Sequence, residues 1–293
     1  MVSGKFLRSY RFMIYEVIGL IVLGAFVRAM DAGLACPDWP LCFGDYIPDF
    51  QIQVYLEFIH RFLAGLIAIV CLLLNLKLIR NPKITESTKT LCWLSWTVLI
   101  AQIIMGGLTV TMELNEYVVV AHLSLALIFL INLLTIYYNI SSQKTVPKFE
   151  SRAIVSLFAK FTLAVIAIQI FLGGMVASHY AALVCADFPL CLGSFAPTFK
   201  GVIGLQVIHR LWAYLTVLVT FGFLYFVYKK KDQLLEILSP SKWLFFLLSL
   251  QVGVGIANVL FFTPPLLTVT HSLLAALLLI NIWKINYNLF DRP

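Results

Sequence analysis

Residues 55–64 read Tyr-Leu-Glu-Phe-Ile-His-Arg-Phe-Leu-Ala and open a long apolar run that ends near residue 78. On a helix, side chains three and four positions apart share a face, so Glu57, His60 and Arg61 point the same way. Ionisable side chains inside a membrane span are costly and usually serve a function. A similar pattern, Gln-Val-Ile-His-Arg, returns at residues 206–210, an offset of 149 residues. This repeated polar cluster determines how the rest of the chain is interpreted.

The composition indicates a membrane protein. The 293-residue chain is 61% hydrophobic and 12% charged, whereas soluble domains are about 45–50% apolar and about 25% charged. A helical span needs about 20 apolar residues. Eight segments meet that requirement: roughly 11–30, 53–79, 90–110, 117–139, 153–176, 202–228, 242–262 and 266–287. The sequence therefore predicts an all-α protein with eight transmembrane helices.

The basic residues predict how these spans are oriented. All but four of the 21 Lys and Arg residues lie near the termini or in the segments 77–89, 144–160 and 229–242. Because cytoplasmic loops carry the excess of Lys and Arg, we expect both termini in the cytoplasm of a cell-membrane protein. The outer loops are then 31–52, 111–116, 177–201 and 262–265. The net charge of +7 reflects this orientation and does not indicate binding to nucleic acid.

Four of the six cysteines fall in the predicted outer loops, namely Cys36, Cys42, Cys185 and Cys191. Outside the cytoplasm disulfides can form and persist. The remaining two, Cys71 and Cys92, lie in or beside spans and are interpreted as small apolar residues.

The offset of 149 residues aligns the two halves of the chain without a gap. It superimposes Cys185 on Cys36, Gln206 on Glu57, His209 on His60, Arg210 on Arg61 and His271 on His122. Each half has four spans, an even number, so both halves enter from the same side, as in parallel repeats. We therefore expect two parallel-repeat four-helix bundles, residues 1–143 and 150–293, joined by the polar connection 140–152.

Four of the five histidines belong to the repeat: His60, His122, His209 and His271. Each lies near the outer end of an even-numbered span. Two imidazoles that face each other across a bundle suit haem iron with two axial ligands. The alternatives are buried histidines that hydrogen-bond to carbonyls, or zinc, although no third ligand is repeated. His179 has no counterpart and is interpreted as a loop residue.

The neighbours of these histidines suggest further roles. Arg61 and Arg210 could pair with haem propionates, or they could be interfacial arginines that extend toward water. The difference between Glu57 and Gln206 suggests that one half does chemistry while the other passes electrons. Alternatively, Glu57 only pairs with Arg61 one turn away.

Small and amide residues also recur in the spans. We expect the pair Gly106-Gly107, like Gly253 and Gly255, to allow close approach of helices. We expect Gln102 and Gln251 to bridge helices, with no catalytic role.

The whole chain resembles the haem A synthase family, membrane enzymes that make the haem of cytochrome oxidases. The resemblance rests on the outer loop 33–42, Gly-Leu-Ala-Cys-Pro-Asp-Trp-Pro-Leu-Cys, and on the eight spans in two halves. It also rests on Glu57-x-x-His60-Arg61, His122, Gln206-x-x-His209-Arg210, His271 and the outer cysteine pairs.

This resemblance implies an activity. The family oxidises the C8 methyl group of haem o to a formyl group by O2-dependent hydroxylation, with haem b as an electron carrier. By resemblance, His209 and His271 are the haem b ligands, His60 and His122 belong to the substrate site, and Glu57 is the essential acidic residue. Because the four histidines lie near the outer ends of their spans, we also expect the haem sites near the outer face. Haem O synthase, the protohaem farnesyltransferase that supplies haem o, is the partner we consider.

The outer cysteines also match the family. Cys36 and Cys42 resemble its outer-loop disulfide, which is proposed to pass electrons. Cys185 and Cys191 match a disulfide-rich subset, so we expect two disulfides, each within one loop.

Two other classes of protein share parts of this pattern. A non-catalytic dihaem membrane cytochrome b would also carry four histidines, but its ligands should lie at both faces of the membrane. A transporter with parallel repeats would show broken helices and charges near the midplane. Neither feature is evident, and haem oxidation remains the preferred interpretation.

Overall fold

The computed structural model describes residues 2–141 and 152–290, and within them it contains eight α-helices. In chain order they are α1 (Gly4–Ala29), α2 (Ile52–Ile79), α3 (Glu86–Thr111), α4 (Glu116–Ile140), α5 (Arg152–Ser178), α6 (Gly201–Lys229), α7 (Leu235–Leu260) and α8 (Pro265–Leu289). Short 3-10 helices, Ala181–Leu183 and Lys231–Gln233, follow α5 and α6. All eight α-helices are long and apolar enough to cross a membrane. The predicted all-α membrane fold is confirmed.

The predicted spans lie inside or close to the observed helices, but α1 and α7 begin well before their spans. Helix α1 starts at Gly4 because Ser3 caps it, accepting a hydrogen bond from the Phe6 N–H at 3.3 Å. Helix α7 starts at Leu235 and continues through Pro240. An apolar run marks only the part of a helix that lipid surrounds. The first turns of α1 and α7 contain polar residues, so the length of the apolar run underestimates the length of the helix.

The chain divides into two compact units, Met1–Ser142 and Gln143–Pro293. In the first, α1 packs against α2 and α4, and α3 packs against the same two helices. Helices α2 and α4 therefore occupy opposite corners of a four-helix unit. The fully buried hydroxyl of Tyr10 donates to Asn75 Oδ1 at 3.1 Å and links α1 to α2. Most of the expected polar connection, residues 142–151, lies outside the described residues.

The second unit has the same order of packing. Helices α5 and α7 each pack against α6 and α8, so α6 and α8 stand at opposite corners. Its apolar core includes the fully buried side chains of Phe223, Leu244 and Ile282. Arg152, at the start of α5, donates to the carbonyl of Leu289 at 3.1 Å and ties α5 to the end of α8.

Large apolar side chains also cover the outside of the helices. Leu157 and Leu218, for example, are each 70% exposed. In lipid such residues gain little from burial, so helix association depends on close packing and hydrogen bonds between helices. Small and polar residues on the inner faces are therefore the ones expected to determine how the helices of each unit pack.

The even number of helices predicts that both termini lie on the same side, and the basic loops predict that this side is the cytoplasm. A fluorescent protein fused to either terminus should fluoresce, and alkaline phosphatase inserted in the loop 31–52 should be active. Phosphatase inserted at residues 80–85 is the matched control and should be inactive. Active phosphatase fused to the C-terminus would contradict the predicted orientation.

Candidate functional site

Each of the four repeated histidines lies against a glycine of the helix that precedes its own. The pairs are Gly24 with His60, Gly106 with His122, Gly173 with His209, and Gly255 with His271. An alanine methyl carbon at any of these glycines would lie 2.9–3.2 Å from the ring Cε1, closer than carbon atoms normally approach. The missing side chain therefore lets each imidazole lie directly on a helix backbone.

Glutamine side chains contact three of these rings. The amide nitrogen of Gln102 lies 3.3 Å from His122 Nε2, and that of Gln251 lies 3.2 Å from His271 Nε2. Gln169 lies 3.3 Å from His209 Nδ1. We expected Gln102 and Gln251 to bridge helices, and they do so by contacting a histidine of the next helix.

The histidines of each unit lie on helices at opposite corners. These are His60 on α2 with His122 on α4 in the first unit, and His209 on α6 with His271 on α8 in the second. Among the described residues, the Nδ1 atoms of His60, His122 and His271 are buried with no hydrogen-bond partner. A buried nitrogen without a partner is costly, so each unit has ring nitrogens available to a ligand.

These features suit a planar cofactor with two axial histidines. In each unit two imidazoles on helices at opposite corners lie against the backbones of the neighbouring helices, an arrangement compatible with bis-histidine haem. The described residues contain no group of three or more His, Cys, Asp or Glu side chains arranged to hold a metal ion. The zinc alternative therefore finds no support in the described residues.

Both arginines beside the histidines hold an outer loop. Arg61 Nη1 donates to the carbonyls of Asp38 and Leu41 at 2.6 and 2.7 Å, and Nη2 donates to that of Cys36 at 3.1 Å. Arg210 repeats this arrangement with the carbonyls of Asp187, Leu190 and Cys185. Loop carbonyls therefore occupy most Nη donors of both guanidinium groups. Pairing of Arg61 and Arg210 with propionates stays a prediction.

Glu57 and Gln206 make different contacts at equivalent positions. Glu57 is only 4% exposed. Its Oε2 accepts from the Cys36 N–H at 2.8 Å, and its Oε1 pairs with Arg61 Nη2. Gln206 instead donates to the carbonyl of Ala182 at 3.2 Å. The carboxylate thus does more than pair with Arg61, because it also joins α2 to the first cysteine of the loop.

Each outer loop is closed by a disulfide, Cys36–Cys42 in one and Cys185–Cys191 in the other. The two expected disulfides are therefore present. Within each loop an aspartate accepts two backbone hydrogen bonds. Asp38 accepts from Phe43 and Gly44 at 2.6 and 2.8 Å, while Asp187 accepts from Leu192 and Gly193, each at 2.9 Å.

These hydrogen bonds change the acidity of the two aspartates. The amide of Gly44, together with that of Phe43, lowers the pKa of Asp38 below its ordinary value. Gly193 and Leu192 lower the pKa of Asp187 in the same way. Both amides donate to the charged carboxylate, which favours the ionised form.

Two loop residues, Trp39 in the first unit and His179 in the second, clarify the surroundings of the sites. The indole of Trp39 lies on Gly107, where an added methyl carbon would meet the ring at 3.2–3.3 Å. Gly107 therefore makes room for an aromatic ring, and its neighbour Gly106 makes room for His122, rather than for another helix. His179 bonds to Ser178 and to the carbonyl of Met175, in agreement with its interpretation as a residue outside the histidine sets.

Comparison with known proteins matches nearly the whole chain to one family. The COX15-CtaA family model, described as cytochrome oxidase assembly protein, matches residues 11–53 and 47–283. A heme A synthase of Shewanella oneidensis is 32% identical over 93% of this chain and 93% of its own length. Heme A synthases of Shouchella clausii and Halalkalibacterium halodurans are 29% and 25% identical, each over 89% of this chain and 89% and 90% of their own lengths.

The chain belongs to the haem A synthase family. The resemblance inferred from the sequence is therefore confirmed.

We did not predict from the sequence that the four glycines and Gln169 contact histidine rings. A signal was present, because Gly24, Gly106, Gly173 and Gly255 follow the same offset as the histidines. Gln169 gave no such signal, since its counterpart is Leu20.

The aspartate turns predict how the outer loops respond to acid. Because the folded-state pKa of Asp38 is lowered, its stabilisation is complete above the ordinary value of about 3.9 and is lost as the pH falls through the lower folded value. Hydrogen exchange of the Phe43 and Gly44 amides, corrected for intrinsic rates, should show protection at neutral pH that disappears below about pH 4.

Two variants control this measurement. In Asp38→Asn the protection should already be reduced at neutral pH, whereas Asp49→Asn, in the same loop, should behave like the wild type. Unchanged protection in Asp38→Asn would show that the carboxylate does not hold the turn.

Proposed function

We propose that the protein is a haem A synthase, an oxidoreductase that converts the C8 methyl group of haem o to a formyl group and so forms haem a. The observation that carries this proposal is the pair of glycine-backed histidine sets, of which one is accompanied by Glu57 and the other by Gln206. Relatives named heme A synthase over nearly the whole chain support it. The reaction is an O2-dependent hydroxylation.

We assign the substrate haem to residues 1–143, with His60 and His122 as its ligands, and haem b to residues 150–293, with His209 and His271. The buried Nδ1 atoms without partners support His60, His122 and His271 as ligands. Haem b, when bound, supplies electrons one at a time. This division follows from Glu57, because an acidic group is needed where protons are consumed and only the first unit has one at this position.

The residues of the first unit exclude water and hold charge. Apolar side chains around the rings keep water from the reacting methyl group, which limits side reactions. Glu57 holds or moves a proton beside the substrate, while the Cys36 N–H and Arg61 keep its carboxylate in place. Two successive hydroxylations followed by loss of water turn a methyl into a formyl group, and each consumes O2, two electrons and two protons.

The remaining assignments concern the surroundings of the site. Arg61 and Arg210 each hold a disulfide loop, and we assign propionate contacts to the guanidinium donors that the loop carbonyls and Glu57 do not use. We place the two haem sites near the outer face of the cell membrane, because all four histidines lie near the first turns of α2, α4, α6 and α8, which the basic loops predict to be at that face. Haem O synthase is the partner that supplies haem o.

Conversion of haem o tests the proposed activity. The chain should be expressed together with haem O synthase in a host that makes no haem a, and extracted pigment should be analysed by mass spectrometry. Haem a is expected, and the host with haem O synthase alone is the control. Haem b as the only pigment bound to the chain would contradict the proposal and favour the non-catalytic dihaem cytochrome.

Glu57→Gln tests the role of the carboxylate, because it gives the first unit the residue found in the second. The change is nearly isosteric, so haem should still bind. Formation of haem a per chain should fall by about 10²–10⁴-fold, the contribution typical of a positioned proton-transfer group. Glu116→Gln, at the outer end of α4, is the matched control. Near-normal formation of haem a in Glu57→Gln would remove Glu57 from the mechanism.

A further inference from the structure

The odd-numbered helices share a pattern in which one residue differs. Each carries the glycine that faces a histidine ring, and the residue four positions earlier lies on the same helix face. That residue is Gln102 in α3, Gln169 in α5 and Gln251 in α7, but Leu20 in α1. Three of the four histidines therefore meet a glutamine, and His60 is the exception.

The glutamines are suited to accept a hydrogen bond from a ring. Each amide nitrogen lies 3.2–3.3 Å from a ring nitrogen, and each amide oxygen is buried without a partner among the described residues. The two ends of an amide have nearly the same shape, so a half-turn brings the oxygen to the ring. The oxygen then accepts the ring N–H, and the other ring nitrogen keeps its lone pair for a ligand.

In the part of the chain that the structure describes, His60 has no such partner. Its Nδ1, the nitrogen left for a ligand, is buried without a hydrogen bond, and Leu20 has no atom that could accept a hydrogen bond from the other ring N–H. A histidine that binds a metal usually donates its other N–H to an acceptor, which fixes the ring and raises its basicity. Without that acceptor, His60 packs against Gly24 but has no hydrogen bond of this kind to fix its ring.

We propose that Gln102, Gln169 and Gln251 are positioning residues that hold His122, His209 and His271, whereas Leu20 leaves His60 as an exchangeable ligand. This inference rests on the proposed function. The second unit then has two fixed ligands, which suits a haem that only carries electrons. The first unit has one fixed and one exchangeable ligand, which gives O2 a way to reach the substrate iron.

Carbon monoxide tests this difference, because it binds reduced haem only where an axial position opens. Difference spectra of the purified protein should show no CO binding by the haem of the second unit in the wild type. In Gln169→Leu the fraction of this haem that binds CO should rise several-fold, and its affinity for the protein should fall by about 10–100-fold.

The reciprocal variant is Leu20→Gln, in protein loaded with haem o. In this variant the fraction of substrate haem that binds CO should be lower than in the wild type. This result does not depend on how fast the variant forms haem a. This variant tests the proposal even where Gln169→Leu reduces the yield of folded protein.

Gln206→Leu is the matched control, because it removes an amide that contacts Ala182 rather than a histidine. It should leave CO binding as in the wild type. Equal CO binding in Gln169→Leu and Gln206→Leu, or no change in Leu20→Gln, would overturn the role of the glutamines while leaving the proposed activity intact. A wild-type chain that binds haem in neither unit would overturn both proposals.

Discussion

A histidine ring inside an apolar helical unit needs space and a hydrogen-bond partner, and the preceding helix provides both on one face. Glycine supplies the space, because the ring lies where a side chain would otherwise be. Glutamine one turn earlier supplies the partner for three of the four rings. Odd-numbered helices therefore support the rings, and even-numbered helices at opposite corners carry them. The proposed haem sites depend on this arrangement, in which one helix carries the histidine and the preceding helix supports its ring.

The two disulfide loops are tied to the helix turns that bear His60 and His209. Arg61 and Arg210, each next to a histidine, bind carbonyls of a disulfide loop. A movement of the loop would therefore act on the helix turn that bears the histidine. In the first unit Glu57 adds a bond to the Cys36 N–H, so the carboxylate, Arg61 and the disulfide loop form one hydrogen-bonded group next to His60 in the chain. Its counterpart Gln206 binds Ala182 instead, and this is the chief chemical difference between two otherwise similar sites.

Much of this arrangement could be predicted from the sequence, because it depends on hydrophobic length and on a repeat. Eight apolar runs predicted the eight helices, and the offset of 149 residues singled out His60, His122, His209 and His271 before any contact was known. The same offset relates the four glycines to one another, but it could not show what they contact, since the neighbour of a small residue depends on how helices rotate against each other. Gly106 therefore looked like a site of helix approach, although it faces His122. The bond between Glu57 and Cys36 joins a helix to an irregular loop, and no sequence pattern specifies such a bond.

The central claim is that His209 and His271 hold haem b in the second unit. The most direct measurement is the amount of haem b per purified chain in His209→Ala, with His179→Ala as a control that removes a histidine outside the sets. The account predicts loss of most haem b in His209→Ala and a normal content in His179→Ala. Normal haem b in His209→Ala, with the protein folded, would contradict the assignment of the two units.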